Sequence, residues 1–123
     1  MKSLLRSLII VLLLGTSNFH AQCYYKLSMY DSWGDGWNGA YLEVTMNGSF
    51  VGNYECFGSY TLDSVYSLSG STMDFIFHSG TWDSEITFAI IDPLNDTLFY
   101  GAAPSDLDNL LNQSLYLINI SEH

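Results

Sequence analysis

The sequence predicts an all-β protein: an antiparallel β-sandwich of about eight short strands, with one short helical turn near the C-terminus. Three observations predict it. Apolar and polar residues alternate with a period of two through most of the chain after residue 22, the spacing of strands that bury one face. Turn signals recur roughly every eight to twelve residues. Only one segment, near residue 107, carries apolar residues at helical spacing.

Residues 1–21 have the layout of a secretory signal peptide and are set apart from the fold. Lys2 and Arg6 form a positive start, residues 8–14 an apolar run, and Gly15-Thr16-Ser17 opens a polar stretch ending in Ala21-Gln22,. The apolar run is too short to span a bilayer. A lipid anchor on Cys23 is disfavoured, because Gln22 is large and polar where a small residue is wanted,. Cleavage after Ala21 leaves residues 22–123 as a single domain, secreted or held at the cell surface and not inserted in a membrane. That domain sets one Lys against thirteen Asp and Glu, a formal charge of −12. Such a balance excludes nucleic acid and anionic membranes as electrostatic partners and favours divalent cations, although acidity also serves solubility alone. Cys23 and Cys56 are the only cysteines. Export makes a disulfide between them the default, stabilising by roughly 3–4 kcal/mol in the chain-entropy model. A reactive thiol pair would want the close Cys-x-x-Cys spacing, which is absent.

The first strand alternates Cys23, Tyr25, Leu27 and Met29 with Tyr24, Lys26, Ser28 and Tyr30. After a loop, Leu42, Val44 and Met46 point to the core and Tyr41, Glu43 and Thr45 away from it. Asn47-Gly48 is a hairpin signal, and residues 49–54 return as the partner strand. Residues 60–62 and 65–68 read as two short strands interrupted by Asp63-Ser64. Met73, Phe75 and Phe77 give the next strand its buried face. Residues 79–84 form a second polar, aromatic-bearing loop, expected to meet the first, and residues 85–91 are a strand. Asp92-Pro93-Leu94-Asn95-Asp96 is a turn, and residues 97–100 return from it. Ser105-Asp106-Leu107-Asp108 resembles a capping box, with Leu107, Leu110 and Leu111 on one helical face. Residues 114–120 close the chain as a strand.

The most unusual chemistry lies in Asp31-Ser32-Trp33-Gly34-Asp35-Gly36-Trp37-Asn38-Gly39. Its glycines supply the positive-φ conformations of a tightly folded loop. Asp31, Asp35 and Asn38 offer side-chain oxygens, the donors that Ca²⁺ takes in sixes to eights. An EF-hand would carry Asp or Asn at the third position and Glu at the twelfth; Trp33 and Leu42 stand there instead. The site must then be completed from the second loop, where Asp83 and Glu85 are the candidate donors. The plainer reading is that Asp31 and Asp35 cap the loop's own amides and Glu85 is a solvated strand-edge residue.

Trp33, Trp37 and Trp82 all fall in the two loops, with Tyr41 beside them. Trp33, Trp82 and Tyr41 are candidates for stacking on a sugar ring or anchoring a protein interface, whereas Trp37 reads as a plug in the top of the core. Enzyme chemistry is not expected. His20 leaves with the signal and His123 is terminal, so His78 is the one candidate base, and no nucleophile or zinc-ligand motif surrounds it,. Asn47, Asn95, Asn112 and Asn119 each begin an N-glycosylation pattern,.

The nonapeptide 31–39, together with Trp82-Asp83-Ser84-Glu85-Ile86-Thr87-Phe88 and Gly101-Ala102-Ala103-Pro104, resembles the DSxGDGWNG β-sandwich module of secreted and cell-surface proteins. The resemblance covers most of residues 23–104. It implies a CUB-like or jelly-roll-like sandwich without catalytic residues, stabilised by calcium, and it adds weight to Asp31, Asp35 and Glu85 as ligands. The expected function is a non-enzymatic binding or adhesion module whose calcium-ordered loop end meets an extracellular glycan or protein. The alternative is a self-associating matrix protein in which the acidic loop is only a fold device.

Overall fold

A computed structural model describes residues 23–110. Seven strands follow in order: β1 (Cys23–Asp31), β2 (Tyr41–Met46), β3 (Ser49–Tyr54), β4 (Tyr60–Ser67), β5 (Met73–His78), β6 (Ile86–Ile91) and β7 (Thr97–Ala102), with a 3₁₀ turn over Asp83–Glu85. They form two antiparallel sheets, β4-β1-β6-β7 and β3-β2-β5. The all-β sandwich is as expected. The last expected strand, residues 114–120, lies outside the described residues, as do the expected signal segment 1–21, Asn112 and Asn119. Among the described residues no helix is long and apolar enough to cross a membrane.

Alternation dictates the packing. Leu27, Met29, Val65, Phe88 and Ile90 from the four-stranded sheet meet Leu42, Val44, Phe75 and Phe77 from the three-stranded one, all fully buried. The Phe77 and Phe88 rings stack across the gap at 6.2 Å. Trp37 closes the top, 1 % exposed, with its ring 5.5 Å from Phe88 and its indole N–H donating to the Tyr30 carbonyl at 2.9 Å. Asn47 and Gly48 turn β2 into β3 with φ of 51° and 80°, as a two-residue hairpin of this type requires.

Three expectations are corrected. Asp63 and Ser64 do not interrupt β4, because the ladder to β1 runs through them, Asp63 opposite Leu27 and Ser64 opposite Lys26. Residues 105–108 form a turn where a helix start was expected, with Leu107 at φ 65° and exposed; Leu110, the last described residue, is helical. The backbone of the turn is taken up by the edge of β5: the Leu107 N–H donates to the Phe77 carbonyl at 2.7 Å, and the Phe77 N–H donates to the Asp108 carbonyl at 3.1 Å. Leu110 alone of the expected apolar face is seen to enter the core; Leu111 lies outside the described residues. Finally, Cys23 and Cys56 are not joined. Cys23 begins β1, whereas the buried Cys56 thiol sits against the Met29 carbonyl at 3.3 Å, six residues further along the strand. At about 3.4 Å per residue that is roughly 20 Å, far beyond disulfide reach.

Candidate metal centre at the loop pole

β1 delivers Asp31 at its end. By alternation with Leu27 and Met29 the side chain turns inward, and Asp31 is only 4 % exposed. One carboxylate oxygen, Oδ2, accepts from the amides of Gly34 (2.7 Å) and Asp35 (3.0 Å), so the plainer reading of Asp31 as a loop cap holds for that oxygen. Oδ1 is buried and has no hydrogen-bond partner.

The loop is held to this carboxylate by its floor and its neighbour. The floor is the β3–β4 connection: the Ser59 carbonyl accepts from the Asp31 amide at 3.0 Å and the Cys56 carbonyl from the Trp37 amide at 3.2 Å. Gly36, at φ 89°, passes so close that a Cβ there would stand 2.9 Å from the Cys56 carbonyl oxygen. The neighbour is the second loop, and the two meet as expected. The Thr81 amide donates to the Asn38 carbonyl at 3.2 Å and the Ser32 amide to the Glu85 carbonyl at 3.0 Å. Gly80 lies against the backbone of Asn38 and Ala40, where any Cβ would collide with the Ala40 nitrogen.

This junction brings one carboxylate oxygen each from Asp31, Asp35 and Glu85 within 4.8 Å of one another. Glu85 contributes a second buried, unpartnered oxygen, Oε2. Partial burial, followed by the charges of Asp31 and Asp35, raises the Glu85 carboxyl above the ordinary carboxylate range. No cationic side chain relieves the cluster: Lys26 is the one Lys or Arg among the described residues, and its ammonium donates to Asn95 Oδ1 at 3.1 Å. Buried carboxylate oxygens without donors are costly. Three converging carboxylates with a spread no larger than twice a Ca–O bond of about 2.4 Å fit a hard divalent cation. An all-oxygen set does not select zinc or copper.

One of the five expected ligands, Asp83, is not among the carboxylates that converge. Asp83 braces its own loop, its Oδ1 accepting from the Gly80 amide at 2.8 Å and its Oδ2 from the Ser79 hydroxyl. Asn38 borders the cluster: its side-chain amide donates to Asp35 Oδ1 at 3.3 Å and to the Gly36 carbonyl at 3.1 Å. Of the aromatic candidates, Trp33 is 78 % and Trp82 55 % exposed, on the two segments that meet. Tyr41 is half-buried and lies flat on His78, centroids 4.4 Å apart at 9°, so one face of its ring is occupied. His78 Nε2 is 3.6 Å from Glu43 Oε2. The 55–59 floor escaped sequence reasoning; its only local signal is Gly58, which adopts φ 68°. Comparison of the chain with family models, with curated proteins and with solved structures returned no match.

Proposed function

We propose that the protein is a secreted, non-enzymatic binding module in which Ca²⁺, held by Asp31, Asp35 and Glu85, orders a loop pole that presents Trp33 and Trp82 to a carbohydrate or protein ligand. The observation that carries the reading is the orphaned Oδ1 of Asp31, buried beside two further carboxylates. A cation there would neutralise that oxygen and tie β1 to the segment ahead of β6. With Asp35 on the solvent side, exposed water or ligand oxygens complete the shell. Carbohydrate is the first class to test, since exposed indole faces suit the apolar faces of sugar rings.

The experiment is a calcium titration followed by thermal melting. Calcium at 100 times its dissociation constant stabilises by about 2.7 kcal/mol, a rise in Tm of roughly 10 °C or more for a domain of this size. Asp35→Ala is expected to lower the Tm in calcium and leave it unchanged in chelator. Equal losses in both conditions refute the metal. Glycan-array binding abolished by Trp33→Ala with calcium affinity intact supports the recognition half of the reading.

A further inference from the structure

The outer face of the four-stranded sheet is unlike the rest of this chain. Cross-strand register sets its rows: Tyr24 opposite Tyr66, Lys26 opposite Ser64 and Ile91, Ser28 opposite Leu62 and Ala89, Tyr30 opposite Tyr60 and Thr87. Tyr100 extends the Ser28 row through Ala89. None of these outward positions is Asp or Glu, in a chain whose formal charge is −10. The exposed set is Tyr24, Tyr30, Tyr60, Leu62, Tyr66 and Tyr100. Tyr30 and Tyr60 pack with centroids at 4.8 Å, Tyr24 and Tyr66 at 5.7 Å. Single exposed apolar residues are ordinary, but a contiguous patch of this kind marks an interaction surface.

The rows also have an internal symmetry. Along β1 the outward order is Tyr, Lys, Ser, Tyr, and along β4, read in the same direction, it is Tyr, Ser, Leu, Tyr. A two-fold axis lying in the plane of the face and crossing the strands at Leu27 and Asp63 superposes one tyrosine pair on the other. Tyr24 and Tyr66 of one copy then lie over Tyr30 and Tyr60 of the next, about 20 Å apart along the strand. Lys26 lies over Ser28 and Ser64 over Leu62, so the two lysines do not oppose each other. We infer that this face is the isologous contact of a homodimer, formed by a second copy packed face to face with its strands reversed. The acid-free surface is where two strongly negative chains approach with least repulsion. The inference is independent of the metal centre.

Sedimentation velocity on the full chain over a range of concentration tests it. The expected result is a monomer–dimer equilibrium that tightens as salt screens the repulsion between the two acidic bodies and that is indifferent to chelator. Leu62→Asp buries an unpaired charge in the contact and raises the dissociation constant by about tenfold or more. Asn53→Asp adds the same charge to the outer face of the other sheet and leaves it unchanged; melting curves confirm that both variants fold. A chain that stays monomeric throughout overturns the inference. Tyr24 and Tyr66 resistant to nitration in that monomer would assign the face to residues 111–123. Retention of the monomer on cellulose, lost in Leu62→Asp, would assign it to a neutral glycan. A dimer weakened equally by both aspartates overturns it too, since net charge would then be the cause.

Discussion

The two sheets obey the same alternation yet turn opposite chemistry outward. On the three-stranded sheet the outward residues are mostly polar and answer one another. Glu43 faces His78, and Asp74 accepts from Asn109 at 2.9 Å and from Thr45 at 3.4 Å, while the 105–109 segment lies along its β5 edge. On the four-stranded sheet the outward residues include five exposed tyrosines, with the Ser28 hydroxyl bonded to the Tyr30 hydroxyl at 3.3 Å and no carboxylate among them. The first face is mostly satisfied within the chain, with Phe50 as its exposed aromatic; the second exposes a group of five tyrosines. A period of two therefore says which half of a strand is buried and nothing about what the outer half is for.

That contrast can be broken in several ways. Trp37→Ala empties the packing that both sheets share and should cost about 3–5 kcal/mol, read by urea unfolding; a loss under about 1 kcal/mol would show that the sheets hold together without their plug. Asp74→Ala should cost about 1–2 kcal/mol, because it strips Asn109 and Thr45 of an acceptor. Tyr100→Ser on the other sheet should change stability by less than about 0.5 kcal/mol, and equal costs would erase the distinction between an answered and an unanswered face. A smaller effect appears at alkaline pH. Burial is the main cause that pushes the Cys56 thiol up from its ordinary value, so the folded state holds the proton more tightly than the unfolded one. The stability this contributes is present below the ordinary thiol pKa and is lost as pH rises through the raised one. Native Cys56 should accordingly resist iodoacetamide at pH 8, and Cys56→Ala should flatten the alkaline limb of the stability profile. Leu62→Asp and Asn53→Asp, both on exposed outward positions, should alter unfolding free energy by no more than about 0.5 kcal/mol each, which leaves dimerisation as the property that separates them.

Legibility in the sequence followed the range of the interaction. The buried set Leu27, Met29, Leu42, Val44, Phe75 and Phe77 could be read because each belongs to a strand whose own neighbours carry the pattern. Asp31 and Asp35 could be read because they share one loop. Asp83 was misassigned to the cluster, since the amide of Gly80 and the hydroxyl of Ser79 reach it first. The Cys23–Cys56 pairing failed because a count of cysteines carries no distance along β1. The turn at Ser105 was mistaken for a helix start because a capping pattern cannot foresee that β5 offers its edge to the same backbone.

Local sequence specifies most of the strands, the hairpin at Asn47-Gly48, the two loops and the acidic character of the first, all of which depend on residues near one another in the chain. Long-range pairing selects Glu85 over Asp83 as the partner of Asp31 and Asp35, makes the 55–59 segment their floor, and gathers the tyrosines of β1 and β4 on one face without a carboxylate. Those outcomes depend on which strands pair and in what register, and pairing is set by burying both sheets' apolar faces at once, a condition on the whole chain that no local stretch contains.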